Sequence, residues 1–204
     1  MNKESEKQPD QVPPDLSKRV QITLLESARL KLKMAEVLAD QIAALAERVI
    51  ATYKNGGRIL VFGNGGSAAD ATHLASELVG RYDRDRKALA ALALTTDTPT
   101  LTSISNDFGY EQVFARQIEA HAKPNDLVIG VTTSGKSKNV IAGIEAARKI
   151  PCHTIVLAGK DGGPIAALAD MTLIVPSQTT ARIQEGHAVI IHILCELVDH
   201  WVLG

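Results

Sequence analysis

The sequence predicts an α/β fold: a doubly wound parallel sheet flanked by helices on both faces, with a helical extension at the N-terminal end. Three observations carry this. Short apolar runs such as Leu127–Val131 and Met171–Val175 lack the in-out alternation of a half-exposed strand, which is the pattern of strands covered on both faces. Helix-like segments separate these runs, the order that builds parallel sheets. Two segments rich in glycine and hydroxyls, Gly63-Asn64-Gly65-Gly66-Ser67 and Thr132-Thr133-Ser134-Gly135-Lys136-Ser137, each follow an apolar run and each open a helical one.

The elements follow in order. Residues 1–18 hold Pro9, Pro13 and Pro14 among alternating charges without an apolar period, and read as a flexible leader. Residues 19–204 read as one domain. Its opening stretch, 20–55, is helical: Leu24, Leu25, Ala28, Leu32, Met34, Leu38, Ile42, Leu45, Val49 and Ile50 recur at helical spacing until Asn55-Gly56-Gly57 stops the run. One long helix or two jointed ones satisfy the pattern. The stripe is wider than one sheet face would cover, so it is expected to serve oligomerisation. Strands are then expected at 58–62, 89–94, 127–131, 153–158 and 171–175, and helices at 68–81, 110–121 and 139–149. A last helix runs from Ala181 toward Leu203.

Composition narrows the partners. With 22 basic and 23 acidic side chains the formal charge is −1, which argues against a broad nucleic-acid or anionic-membrane footprint. A small molecule met locally is expected instead. Cys152 and Cys195 sit singly inside apolar runs and the first residues are too polar for a signal peptide, so a reducing, cytoplasmic setting is expected. Charges or glycines interrupt every apolar run before the ~20 residues a bilayer span needs, so no membrane is expected.

Both glycine-serine segments fall at carboxyl ends of expected strands, where ligands of open α/β sheets bind. The first amides of a helix lack intrahelical partners and carry the positive end of its dipole, so a phosphate placed there is held by hydrogen bonds and by the field. Gly63 through Ala68 also fits the loose dinucleotide pattern G-x-G-x-x-A, but the second strand closes on Leu94-Thr95-Thr96 and Asp97 lies more than thirty residues from the turn. A Walker-type loop is formally spaced from Gly130 to Gly135-Lys136-Ser137, yet Gly130 stands inside an apolar strand. Neither nucleotide reading holds. His73, Glu77 and Arg81 follow at four-residue steps along one helix face. Such a row can chelate a divalent metal, steady Glu77 as a general base, or form an ordinary surface ladder. On the last helix, Arg182-Ile183-Gln184-Glu185-Gly186-His187 precedes His192, whose apolar sequence neighbours predict burial.

Taken together, Phe62 through Asp70, His73 through Tyr82, Ser105-Asn106-Asp107-Phe108-Gly109-Tyr110, Thr133 through Ser137, and Arg182 through His192 resemble the phosphoheptose isomerases of the sugar isomerase domain superfamily. The resemblance implies the SIS-type αβα sandwich and a homotetramer whose active sites draw on neighbouring subunits. It implies one divalent ion, usually zinc, on His73, Glu77, Gln184 and His192. It also implies conversion of sedoheptulose 7-phosphate to the manno-heptose 7-phosphate through an enediol, with Glu77 as base and His192 as acid, as a first step toward heptose glycans such as lipopolysaccharide. Substrate would lie on Asn64, Gly65, Gly66, Ser67, Glu77, Asn106, Asp107, Thr132, Thr133, Ser134, Ser137 and Gln184. Some relatives carry an Asp just before the Arg-Ile-Gln segment, where this chain has Ala181. Helix geometry alone does not rank His187 against His192; the resemblance chooses His192, and its apolar neighbours favour a dry site, with His187 expected to face solvent. A different class of function is also open: a non-catalytic sugar-phosphate-binding protein that regulates a partner such as the replication initiator.

Overall fold

The computed structural model describes residues 15–204, so most of the expected leader lies outside the described residues. The first helix, α1 (Leu16–Lys54), is one unbroken run of 39 residues. It begins earlier than expected because the Asp15 carboxylate accepts a hydrogen bond from the Lys18 amide at 2.9 Å, which caps the first turn. Leu30, Met34, Leu38, Ile42, Leu45 and Val49 form its buried stripe, while Leu24, Leu32 and Val37 stand exposed on other faces.

Next come β1 (Ile59–Gly63), α2 (Gly66–Val79), β2 (Ala91–Ala93), α3 (Thr98–Phe108), α4 (Val113–His121), β3 (Leu127–Val131), α5 (Lys138–Ala147), β4 (His153–Gly159), β5 (Met171–Val175) and α6 (Thr180–Leu203). All five strands are parallel, in the order β2-β1-β3-β4-β5. Alternate residues of each central strand feed opposite cores. Ile59, Val61, Leu127, Ile129, Ile155 and Leu157 pack beneath α1, α2 and α6, whereas Leu60, Phe62, Val128, Val156 and Ala158 pack with Phe114, Val140 and Ile144 on α4 and α5. This is why the runs read as continuously apolar.

Topology places the site. From β1 the chain winds outward to β2 on one side, and β3 opens the other half of the sheet, so the strand order reverses between them. A crevice opens beyond the carboxyl ends at such a point. Both glycine-serine turns lie there.

Two expectations need correction. Helix α3 falls in a stretch with no expected element, and none of its residues is fully buried. Helix α6 is long and apolar enough, by length and composition, to cross a bilayer, contrary to the reading that every such run is interrupted. Its apolar side is used within the fold, where Ile183, Ile190, Ile191, Leu194, Cys195 and Val198 join the core with α1 and the sheet.

Candidate active site

The two turns brace one another. The Asn64 amide donates to Asn139 Oδ1 at 2.8 Å and accepts from Asn139 Nδ2 at 2.9 Å, while the Tyr110 hydroxyl donates to Asn64 Oδ1 at 2.9 Å. Asn64 is therefore spent on joining β1 to the start of α5. Gly63 is required because a Cβ there would lie 2.7 Å from the Val131 carbonyl oxygen on the neighbouring strand. In the second turn the buried Thr132 hydroxyl accepts from the Gly135 amide at 3.2 Å, and Ser134 Oγ accepts from Lys136 N at 3.2 Å. Thr133, Ser134 and Ser137 are partly open around a turn held from behind by Thr132. At the N-terminus of α2, Gly66 lies directly beneath the Gln184 side chain.

Further along α2, His73 Nε2 lies 3.2 Å from Glu77 Oε1 and 3.3 Å from His192 Nε2 of α6. The two imidazoles meet edge-on with centroids 4.9 Å apart, and the Tyr82 ring lies 5.8 Å from His192. Of the four expected metal donors, Glu77 and His192 thus each approach a third, His73. Ligands bonded at ~2.0–2.2 Å to one tetrahedral ion sit about 3.3 Å apart, a spacing that the His73–Glu77 pair and the His73–His192 pair each match. Glu77 and His192 both approach His73 rather than one another, and among the described residues no group of three His, Cys, Asp or Glu is gathered as a ready-made cation site. Gln184 stands apart: α6 rises ~12 Å over the eight residues to His192, and its amide faces Gly66.

A SIS domain family profile matches residues 25–159. The phosphoheptose isomerase of Trichlorobacter lovleyi is 52% identical over 172 residues, covering 84% of this chain and 88% of that one. That of Aquifex aeolicus is 50% identical over 177 residues, 87% and 93% of the two chains. The chain belongs to the phosphoheptose isomerase family. The solved phosphoheptose isomerase of Neisseria gonorrhoeae has a TM-score of 0.86 at 44% identity, covering 91% of this chain and 99% of that one. The SIS fold expected from the sequence and the five-stranded parallel sheet agree with it.

Within this family framework several residues stand differently from expectation. His187, expected to face solvent, is fully buried and its Nε2 donates to the Ala158 carbonyl at 3.0 Å; burial holds its pKa below the usual imidazole value. His192, expected to be buried, is exposed in this chain. The reason is angular: Ile190, Ile191, Leu194 and Cys195 fill the core side of α6, and His192 falls about 60° outside that arc and projects toward α2. Arg81 leaves the row because α2 stops at Val79; it turns instead to Asp85 at 3.7 Å and to the Asp83 carbonyl at 3.1 Å. Asn106 and Asp107, expected on the sugar, are exposed at the end of α3 and hydrogen-bond to each other at 2.8 Å.

Asp70 was not singled out by the sequence. It lies one turn from His73 on α2, its Oδ2 is 3.9 Å from His187 Nδ1, and burial raises its pKa to about 6 against the lowering effect of His73. Tyr110 and Asn139 were missed as well, since their signal is a contact between distant segments.

Proposed function

We propose that this chain interconverts sedoheptulose 7-phosphate and D-glycero-D-manno-heptose 7-phosphate. The observation that carries the reading is a carboxylate, Glu77, and an imidazole, His192, gathered around His73 next to a braced pair of phosphate-type turns. From Gly66 to His73 helix α2 rises ~10 Å on one face, the reach of an open-chain heptose phosphate from its phosphate to its carbonyl end. A purely binding member would need the turns but not the acid-base pair.

The turn amides with Ser67, Thr133, Ser134 and Ser137 would hold the phosphate and fix the position of the far end of the sugar. Glu77 takes a proton from C1 of the ketose while His192 gives one to the C2 oxygen, forming the enediol. Glu77 then returns its proton to C2 and His192 takes the one on O1, leaving the aldose. Each such positioned group contributes roughly 10²–10⁴ in rate. His73, Glu77 and His192 are the donors that fit a zinc ion, and Gln184 would join them only by swinging away from Gly66. When bound, the ion would supply Lewis-acid polarisation of the carbonyl.

The reading extends to a cytoplasmic homotetramer that supplies heptose for nucleotide activation and for glycans such as lipopolysaccharide. The exposed apolar residues of α1, with Leu32 at 69% and Leu24 at 65% exposure, support burial against further copies. Exposed Asn106 and Asp107 support a site completed by a neighbour. The test is to incubate purified protein with sedoheptulose 7-phosphate and follow aldose by NMR, with and without chelator. Turnover supports the reading; none under either condition leaves sugar-phosphate binding alone.

A further inference from the structure

Arg86 lies in the loop between α2 and β2, and its side chain is fully enclosed. Its guanidinium is spent on two helices at once. Nε donates to Asp199 Oδ1 of α6 at 2.5 Å, Nη2 donates to the Glu77 carbonyl at 2.7 Å, and Nη1 donates to the Leu78 carbonyl at 2.9 Å. The other Asp199 oxygen accepts from the Asp83 amide at 3.2 Å. Burial is the largest single influence on Asp199 and works against its charged form, but the hydrogen bond and charge of Arg86 together with the Asp83 and Arg84 amides outweigh it and hold the carboxyl below its ordinary pKa.

The last carbonyls of a helix have no intrahelical donor, and α2 carries no basic residue in its final turn. Arg86 supplies that cation and those donors from outside the helix, at the residue whose side chain is the candidate base. The other end of the bridge is equally placed. Asp199 follows His192 by seven residues, two turns along α6 and within ~20° of the same side.

We propose that Arg86 and Asp199 form a buried clamp that sets the placement of Glu77 and His192 about His73 by tying the last turn of α2 to α6. They are positioning residues and touch no substrate. A planar fork is needed, because a single ammonium cannot reach Asp199 and both carbonyls in these directions. Slack of about 1 Å between the two helices would lower the rate by up to ~10²-fold, since proton transfer depends on that placement. The phosphate turns lie at the opposite end of α2 and would be untouched.

The inference rests on the isomerase reading, so wild-type turnover is measured first. Arg86→Lys is expected to lower kcat roughly 10–100-fold with KM within about twofold and inorganic phosphate affinity unchanged. Added guanidinium is expected to restore part of the kcat of Arg86→Ala, and methylammonium is not. Wild-type kcat in Arg86→Lys, or a loss matched by the unfolded fraction in circular dichroism, would overturn the clamp. A second measurement needs no turnover. In Arg86→Lys, and in the isosteric Asp199→Asn should the first fold poorly, the His73 and His192 ring resonances are expected to shift while that of His153, on β4, stays. Unshifted His73 and His192 signals would overturn the clamp even in a chain that turned out not to isomerise the sugar.

Discussion

Two glycines that share a positive φ separate strain from function. Gly56 has φ +75° with nothing within 4 Å of a built Cβ, whereas Gly135 has φ +66° and its Cβ would sit 1.9 Å from the Gly162 carbonyl oxygen. An alanine in the left-handed region costs about 1–2 kcal/mol at either position. At Gly135 the backbone of the 160–163 loop must also move, and overpacking of this kind adds roughly 1–3 kcal/mol. Gly56→Ala is therefore expected to lose about 1–2 kcal/mol in urea unfolding and Gly135→Ala roughly 2–5 kcal/mol. Function should split more sharply. Gly135 shapes the turn of Thr133, Ser134 and Ser137, so its variant is expected to bind inorganic phosphate at least about tenfold more weakly by calorimetry, a change of ~1.4 kcal/mol. Gly56→Ala should bind as the parent does. Equal phosphate affinity in the two variants would refute the assignment of this turn to the phosphate.

Other expectations follow from the same geometry. His192→Gln should lose both bound zinc, read by mass spectrometry, and turnover; His187→Gln should keep the site chemistry but lose about 1–3 kcal/mol of stability, because it disturbs a buried hydrogen bond to Ala158. Asp70 has a raised folded pKa of about 6, so between its unfolded value of 3.8 and 6 the native state holds the extra proton and stability from this group falls as pH rises. Asp70→Asn should thus melt above the parent at pH 8, with the gap closing toward pH 4; a lower melting temperature at pH 8 would contradict this. A chain beginning at residue 56 lacks α1 and leaves α2, α6 and the sheet face uncovered, so light scattering should find it aggregated or absent, and a stable, active monomer would count against α1 as core and interface.

Much of this architecture could be read from the sequence because burial on both sheet faces leaves an unmistakable run. Leu127–Val131, buried throughout, ends where expected for that reason; Met171–Val175 also ends where expected, although at the sheet edge it is only partly buried. Helix α3 was hidden because its surface contacts leave no buried stripe. Its cap was visible, however: the Asp97 carboxylate accepts from Thr100 N at 3.3 Å, ahead of Pro99 in the first turn. The two histidines of α6 show where neighbours in sequence mislead. His192 sits among isoleucines and leucine yet points at α2, and His187 sits among polar residues yet is sealed beneath β4. Which side of a helix meets which element is a tertiary fact, and the Asp70–His187 approach and the Arg86 bridge depend on it too.

Glu77 gives the most direct test of the account. Glu77→Gln keeps the shape of the side chain and an oxygen beside His73 but removes the base, so turnover of sedoheptulose 7-phosphate followed by NMR should fall roughly 10²-fold or more while phosphate affinity stays within about twofold. A variant retaining a tenth of the parent rate would show that the proton leaves the sugar by another group.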